Sequence, residues 1–266
     1  MQRLIATTTY KPTPASEARA QEVAERCGLI WVPRTDSVTR LIRGQGAEGA
    51  YVVGPGRVEL RDLERRRIAV HAGTYPLVAK FGREHPLVRA VAPLDEPPPA
   101  RVIDATLGLA KDAIHLAGIL GCEVVGLERV RLLVCLAEDG LARLAGEGAA
   151  WSAGAARVSV EEADAREWLS RQPAASAEVV YLDPMFPRPA AAHQCWPVLR
   201  AIAWPEALDA GLLAEARRVA SRRVVLKVPA GADPREFAPR PALWTRVEGR
   251  KLDWLVCASD QTYRPR

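Results

Sequence analysis

A short apolar run that ends in Asp-Pro constrains this chain more than any other segment. Residues 178–187 read EVVYLDPMFP, so the run stops at Asp183 and Pro184. A continuous apolar run of this kind is typical of a strand buried on both faces of a parallel sheet. Proline donates no backbone hydrogen bond and keeps the preceding residue out of helical geometry, so the chain leaves the sheet there. The sequence thus predicts a carboxylate at the carboxyl end of a buried strand, where open α/β sheets bind ligands.

An acidic residue, a proline and a nearby aromatic residue can together hold a planar amino group. The carboxylate of Asp183 would accept from the N–H, and the ring of Phe186 would stack on the heterocycle. Asp-Pro also starts ordinary turns, which leaves open a strand that simply ends at this point.

Apolar runs alternate with helical stretches through the C-terminal part of the chain. They predict strands at 101–104, 123–128, 157–160, 178–182 and 222–227, helices at 109–120, 131–144, 163–169 and 205–220, and a closing antiparallel pair at 243–247 and 252–258. This alternation indicates an α/β fold with a mostly parallel sheet and right-handed crossovers.

A smaller α/β lobe is predicted ahead of this unit. It would contain strands at 4–9, 29–33, 51–53 and 58–60, and helices at 15–27 and 38–43. Two helical pieces at 76–81 and 86–92 then lead to the stiff linker Pro97-Pro98-Pro99. We therefore predict a small lobe over residues 1–70, a helical connector with its linker over 71–99, and a ligand-binding domain over 100–266.

Composition narrows the class of protein. The 266 residues are 48% apolar, no apolar run approaches the roughly 18 residues of a membrane helix, and the N-terminus has no signal-peptide core, so we expect a cytoplasmic protein. Five scattered cysteines and four histidines without ligand spacing predict reduced thiols and no metal site.

The net charge of +5 permits nucleic-acid binding, and the charged run Arg61–Arg67 is either solvated surface or an RNA contact.

An acidic residue lies at the tip of each of four successive predicted strands. They are Asp104, Glu128, Asp164 and Asp183. The loop after the first strand contains one glycine, Gly108, which argues against a nicotinamide or flavin cofactor. Acids at both ends of that loop disfavour a pyrophosphate and suit a cationic ligand that carries ribose hydroxyls. The set as a whole predicts S-adenosylmethionine.

Each of these acids also has a simpler interpretation. Glu128 lies roughly 20 residues after the loop, where an acid can take ribose hydroxyls, but it could merely pair with Arg129 or Arg131. Asp164 could accept from an adenine amino group or merely cap the helix that follows it.

Four segments carry a resemblance to a known family. They are DATLGLAKD at 104–112, GCEVVGLER at 121–129, YLDPMFP at 181–187 and RVVLKVP at 223–229. Over roughly residues 71–229 the chain resembles the bacterial guanine-N2 methyltransferases of small-subunit ribosomal RNA, type J, and their less characterised relatives. Ala110 stands where many members of that family have glycine.

The resemblance implies a fold, a reaction and a set of site residues. The fold is a Rossmann-like class I methyltransferase sheet with an antiparallel C-terminal strand, and the reaction is transfer of a methyl group from S-adenosylmethionine to a guanine N2 in 16S ribosomal RNA. The implied partner is ribosomal RNA or the small ribosomal subunit, without a membrane or a metal. The expected cofactor-binding residues are Asp104, Thr106, Gly108, Asp112, Glu128, Arg129 and Asp164. Asp183, Pro184 and Phe186 are expected at the target amino group, and the expected substrate contacts are Met185, Pro187, Arg188 and Lys227.

Two other functions stay open at this stage. The chain could methylate another RNA, a small molecule or a protein from the same cofactor site. It could also be a non-catalytic RNA-binding scaffold, although a scaffold would not need the acidic set or the Asp-Pro segment. Lys227 could hold a phosphate or a base carbonyl, or it could be a surface lysine whose stem lies along the protein.

Overall fold

Two β-sheets and the helices that cover them form the described part of the chain. The computed structural model describes residues 3–184, 208–237 and 240–259. The strands are β1 Leu4–Thr8, β2 Ile30–Trp31, β3 Gly49–Gly54, β4 Arg57–Asp62, β5 Arg67–Ile68, β6 Arg101–Asp104, β7 Glu123–Glu128, β8 Val158–Glu162, β9 Ala177–Leu182, β10 Ala220–Pro229, β11 Trp244–Val247 and β12 Leu252–Ala258. The α-helices are α1 Pro14–Cys27, α2 Val38–Gly44, α3 Tyr75–Phe81, α4 Pro86–Val91, α5 Lys111–Leu120, α6 Arg131–Ala145, α7 Ser152–Ala155, α8 Ala165–Ser170 and α9 Ala210–Val219.

The larger sheet has the order β11-β12-β10-β9-β6-β7-β8. Strands β6 to β10 run parallel, whereas β12 runs antiparallel to both β10 and β11. The strand order reverses between β6 and β9, which opens a crevice at their carboxyl ends. The predicted Rossmann-like sheet, mostly parallel with an antiparallel C-terminal strand, is confirmed.

Strand β9 lies at the centre of this sheet. Val179, Val180, Tyr181 and Leu182 are fully buried, as a strand covered on both faces requires. The strand ends at Leu182, so Asp183 is the first residue beyond the sheet. Its place matches the expectation drawn from the Asp-Pro dipeptide.

The smaller sheet has the order β2-β1-β3-β4-β5 and combines parallel and antiparallel pairs. Its helix α1 begins at a capping box, in which the Thr13 hydroxyl accepts from the Ser16 N–H and the Ser16 hydroxyl accepts from the Thr13 N–H. The helix ends at Gly28, whose φ of 65° favours a residue without a side chain. These local signals explain why the helix bounds agree closely with the sequence pattern.

Some elements depart from the sequence expectation. The pattern does not indicate the two-residue β5 or the four-residue α7. Strand β8 includes Glu161 and Glu162, which we expected in a loop, because pairing with β7 continues through them. Helix α9 begins at Ala210, after the capping residue Asp209, and residues 205–207 of the predicted helix lie outside the described residues.

Helix α6 joins the two sheets. One apolar core contains Tyr51 and Leu60 from the smaller sheet together with Leu136 from α6. A Cβ at Gly140 would lie 2.2 Å from the Cβ of Val70, so glycine permits the close approach there. Residues from both predicted units share this core, and the boundaries at residues 70 and 99 stay a prediction.

A buried polar contact ties the same two sheets. The Tyr51 hydroxyl donates to Asp139 of α6 at 2.5 Å, and Arg19 of α1 donates to the same carboxylate at 3.0 Å. Burial and the neighbouring Asp139 charge raise the pKa of Tyr51, so the hydroxyl keeps its proton and remains a donor. Asp139 therefore depends on donors from the N-terminal lobe.

We predict that Tyr51→Phe lowers the free energy of unfolding by about 1–2 kcal/mol, because a largely buried carboxylate loses one of its donors. Urea unfolding of the wild type and the variant measures this difference. The matched control is Tyr10→Phe, the same change at an exposed tyrosine, which should shift stability by less than about 0.5 kcal/mol. Equal effects at the two positions would contradict a structural role for the Tyr51 hydroxyl.

Candidate active site

A cavity of about 290 Å³ lies at the carboxyl ends of β6, β7, β9 and β10. Of the residues predicted to bind the cofactor, all but Asp164 line it. Asp183, Pro184 and Lys227 line it as well, so the structure brings these predicted residues together around one space. Met185, Phe186, Pro187 and Arg188 lie outside the described residues.

Hydrogen bonds attach the loop after β6 to the residues at the carboxyl ends of β9 and β7. The Asp104 carboxylate accepts from the Thr106 N–H at 3.0 Å, and the Thr106 hydroxyl accepts from the Asp183 N–H at 2.6 Å. The Gly108 N–H donates to Glu128 at 3.2 Å, and Gly108 has a φ of 51°. These bonds fix the loop against the ends of β9 and β7, which explains how a loop with one glycine keeps its shape.

Ala110 follows this loop in an uncommon conformation. Its φ of 56° places it in the left-handed region just before α5, and its side chain is fully buried. A residue with a Cβ is disfavoured there by about 1–2 kcal/mol, which fits the glycine that many members of the resembled family carry at this point.

Glu128 binds the backbone on both sides of the cavity. Its Oε1 atom accepts from the Val130 N–H at 2.8 Å, and its Oε2 atom accepts from the Gly108 N–H. These bonds orient the Glu128 carboxylate, and an ionised carboxylate is an acceptor group that suits a pair of hydroxyls.

Three of the side chains that line the cavity form a cluster of charged groups. The Lys227 ammonium is 2.8 Å from Asp112 and 2.7 Å from Asp183, and the Tyr181 hydroxyl donates to Asp112 at 2.6 Å. Burial disfavours the ammonium, but the two carboxylates outweigh burial and raise the pKa of Lys227. Burial likewise disfavours the Asp112 charge, yet Lys227 and Tyr181 lower the pKa of Asp112 to about 2. Lys227 and Asp112 therefore remain charged across the neutral range.

Asp104 behaves differently from its neighbours. Its side chain is almost fully buried, and this burial raises its pKa to about 7, opposed by the Thr106 N–H and reinforced by Asp112 and Asp183. Near neutral pH the carboxyl is therefore poised between its two protonation states. A cation placed beside it would favour the ionised state.

Asp164 lies at the edge of this arrangement. Its carboxylate caps α8 by accepting from the Glu167 N–H at 3.0 Å and lies 3.5 Å from the Arg129 guanidinium. The simpler interpretation of Asp164 as a helix cap therefore describes its observed contacts, and its contact with an adenine amino group stays a prediction.

The acidic and apolar side chains that line the cavity fit the predicted cofactor. Buried Asp104 suits a cationic end, Glu128 suits a ribose diol, and Leu107, Leu127 and Leu133 supply apolar surface for a flat ring. The side chain of Leu107 also fills the space beside Gly126, where a Cβ would lie 2.3 Å from it. The residues that line the cavity therefore fit S-adenosylmethionine.

Sequence reasoning missed Tyr181 as a site residue. It precedes Asp183 by two positions, and alternate residues of a strand share a face, so a period-two argument would have found it. For Lys227, the structure directs the ammonium to Asp112 and Asp183, and its contact with a substrate stays a prediction.

Within residues 3–184, 208–237 and 240–259, no cluster of three or more His, Cys, Asp or Glu side chains is arranged to hold a metal ion. Among the helices in those ranges, none has both the length and the apolar character that crossing a bilayer demands.

Comparison with known sequences gives matches over most of the chain. Residues 47–247 match the family model SAM_MT, which describes SAM-dependent methyltransferases. The chain is 36% identical over 246 residues to the ribosomal RNA small subunit methyltransferase J of Chromohalobacter salexigens, covering 86% of this chain and 90% of that protein. It is 30% identical over 226 residues to the uncharacterized protein YpiP of Bacillus subtilis, covering 83% and 87%.

Other matches are more local or concern the fold. A methyltransferase J from Laribacter hongkongensis is 43% identical, but the match spans 53% of that protein, and a match to the one from Thioalkalivibrio sulfidiphilus spans 60%. The crystal structure of the SAM-dependent methyltransferase NGO1261 from Neisseria gonorrhoeae superposes with a TM-score of 0.67 at 23% identity, covering 98% of this chain and 97% of that one. At that identity the likeness concerns the fold.

We predict that Lys227→Met lowers the free energy of unfolding by about 3 kcal/mol at neutral pH, because Asp112 and Asp183 lose the cation between them. Urea unfolding measures the change, and Lys251→Met is the matched control at an exposed lysine. The double variant Lys227→Met/Asp112→Asn should recover part of the loss. An unchanged stability of Lys227→Met would contradict the proposed charge balance.

We further predict that Asp104→Asn makes stability less dependent on pH. The folded pKa of about 7 lies above the unfolded value of about 3.9, so the folded state binds an extra proton between these values and wild-type stability falls as pH rises from about 4 to 7. Asparagine cannot titrate. The variant should match the wild type near pH 4 and exceed it by about 3 kcal/mol above pH 7, in urea unfolding across this range.

Asp95→Asn, at an exposed aspartate, should leave the pH profile of stability unchanged. A constant offset between Asp104→Asn and the wild type at every pH would show that Asp104 is ionised throughout.

Proposed function

The chain belongs to the SAM-dependent methyltransferase family, as a divergent relative of the type J methyltransferases of small-subunit ribosomal RNA, and from this premise we propose that it methylates the exocyclic N2 amino group of a guanine in 16S ribosomal RNA. S-adenosylmethionine is its cofactor. Two observations outside the site favour RNA as the substrate. Relatives with long matches are named as ribosomal RNA methyltransferases, and the net charge of +5 favours a polyanion.

One observation carries the proposal for the chemistry. Asp183 stands directly beyond the central strand β9, beside the cavity, with its N–H bound by Thr106 and its carboxylate bound by Lys227. Both bonds fix the direction of the carboxylate before any substrate arrives. An acceptor fixed in this way can orient an amino group without reorganisation.

The target nitrogen is a weak nucleophile because its lone pair is delocalised into the ring. The carboxylate of Asp183 and the carbonyl of Pro184 accept its two hydrogens and favour a pyramidal nitrogen. When bound, the cofactor supplies an electrophilic methyl group on a sulfonium. Methylation would leave the nitrogen with both of its hydrogens and a positive charge, and the Asp183 carboxylate would take up one of these two protons. Stacking of the base on Phe186 stays a prediction.

Lys227 acts through Asp183 in this scheme. The raised pKa of Lys227 keeps the ammonium charged, so it is not the base. Its charge favours the ionised form of Asp183, and that form is the one that accepts hydrogen bonds with both oxygens. We therefore assign Lys227 a positioning role and Asp183 the contact with the substrate.

A target base inside an RNA helix must leave its stack to reach this site. Asp183 lies beyond the carboxyl end of the central strand β9, and the cavity beside it is too small for a duplex, so the base has to be flipped or already single-stranded.

We predict that Asp183→Ala lowers the rate of methyl transfer at least about 100-fold while affinity for S-adenosylhomocysteine stays within about threefold. Lys227 retains Asp112 as its partner in this variant, so the cofactor side of the cavity stays intact. Calorimetric titration and a methyl-transfer assay measure the two quantities, with Asp95→Ala as a control. Equal loss of binding and transfer would make Asp183 a structural residue.

The substrate is tested with labelled cofactor and three acceptors: an unmodified 16S ribosomal RNA transcript, the same RNA within small subunits, and other cellular RNA. Digestion and mass spectrometry should find N2-methylguanosine in the first or second. A different methylated nucleoside would reassign the base. Cofactor binding without methylation of any RNA would favour a small-molecule or protein substrate.

A further inference from the structure

A second cavity, of about 220 Å³, lies in the N-terminal lobe and shares no lining residue with the first. Four arginines line it: Arg34 after β2, Arg61 near the end of β4, Arg65 in the connection between β4 and β5, and Arg67 at the start of β5. We call these residues the arginine pocket. They come from two separate segments of the chain, so the fold and not a sequence run assembles them.

Nearby acids do not balance all of this charge. Asp62 is paired with Arg66 at 2.6 Å, and Glu59 is paired with Arg61 at 2.5 Å. Asp36 lies 3.3 Å from Arg40, outside the pocket. Within the described ranges, neither Arg34 nor Arg65 has an ion pair of its own at salt-bridge distance. The arginine pocket therefore carries a positive charge that its surroundings leave partly uncompensated.

Arg34 is the unusual member. Its Nε and Nη1 atoms are buried and have no hydrogen-bond partner among the residues described. Burial, together with the charge of Arg61, lowers the pKa of Arg34, and the charge of Asp36 opposes this shift only in part. Native proteins rarely leave buried donors unpaired, and such donors at a cavity indicate that an acceptor binds there.

We propose that the arginine pocket binds a phosphate group of the RNA backbone, at a distance from the nucleotide that is methylated. This inference rests on the proposed function. The planar guanidinium fork matches the oxygens of a phosphate, and several arginines together can hold one from different sides. The described residues that line the pocket include no aromatic side chain on which a base could stack, which favours a backbone contact without sequence information.

The exposure of the rim favours a polymer over a free phosphorylated metabolite. Arg65 and Arg67 are exposed, so the pocket opens to solvent and can take one phosphate of a chain that continues on both sides. The charged run Arg61–Arg67, which the sequence left open between solvated surface and RNA contact, then contributes Arg61, Arg65 and Arg67 to this contact. Arg66 instead pairs with Asp62 and Glu64.

The role of the pocket is to hold RNA and not to assist the chemistry. Its loss should therefore raise the KM for RNA and leave kcat and the affinity for S-adenosylhomocysteine nearly unchanged. The double variant Arg34→Met/Arg65→Gln removes the two unpaired arginines and keeps the aliphatic stem of the first. Arg171→Gln is the matched control, at an exposed arginine directly after α8 that pairs only locally with Glu167.

The test measures binding of a labelled, unmodified 16S ribosomal RNA transcript at several salt concentrations. We expect the double variant to bind about tenfold more weakly, with a salt slope smaller by about 0.7 for each lost phosphate contact, while the control equals the wild type. Its thermal midpoint should stay equal to or exceed that of the wild type, because the buried unpaired donors of Arg34 are gone. A structural role would instead lower the midpoint.

Four outcomes would overturn the inference. The first is that the double variant keeps the RNA affinity and the salt slope of the wild type, while the wild type methylates the transcript. That result would leave the proposed function standing. A second is a lower thermal midpoint without loss of RNA affinity. A third is stabilisation of the wild type, but not the variant, by inorganic phosphate or guanosine monophosphate with RNA affinity unaffected, which assigns the pocket to a small phosphorylated ligand. The fourth is a wild type that binds S-adenosylhomocysteine but no RNA, which contradicts the proposed function together with this inference.

Discussion

One ammonium group holds the acidic end of the larger sheet together. Lys227 projects from β10 and binds the carboxylate of Asp112, in the first turn of α5, and that of Asp183, beyond β9. Asp104 lies close enough to both acids for their charges to raise its pKa further. Three carboxylates crowded in a largely buried space would otherwise repel one another and favour protonation. The position of α5, the direction of Asp183 and the ionisation of the site all depend on this lysine.

The same arrangement divides the acids into two chemical groups. Asp112 and Asp183 have a permanent counter-charge, whereas Asp104 has none of comparable strength and keeps a pKa near 7. Asp112 can therefore act as a fixed anion at every physiological pH. Asp104 is instead sensitive to whatever lies beside it, so occupation of the cavity by a cationic ligand and ionisation of Asp104 are thermodynamically linked.

Much of the larger sheet could be predicted from the sequence because local signals are strong there. Apolar runs, the Asp-Pro stop and the alternation with helices place Asp104, Glu128 and Asp183 at the carboxyl ends of parallel strands, and the fold then brings them together. The partners of these acids could not be predicted. Lys227 is more than forty positions from Asp183 along the chain, and only the pairing of β9 with β10 shows that the two meet.

In the N-terminal lobe, the sequence predicts the elements better than it predicts how they pair. The pattern predicts most of its strands and helices, but the antiparallel β5 and the mixed sheet depend on the register of β3 and β4. The arginine pocket was not predictable either, since Arg34 approaches Arg61 only through the tertiary fold. Asp164 illustrates a different difficulty, because an acid at the start of a helix serves as a cap whether or not it also touches a ligand.

The core that passes through α6 has a consequence for how this chain can be divided. Tyr51, Leu60 and Val70 share an apolar core with α6, which lies in the predicted ligand-binding domain. A fragment that begins at residue 100 would leave the α6 part of that core in contact with water, and exposed apolar surface of this kind promotes association with other chains. The lobe and the larger sheet share one apolar core. Recombination that exchanges it for an unrelated partner would have to reproduce the contacts with α6, and the two parts of the chain are expected to evolve together.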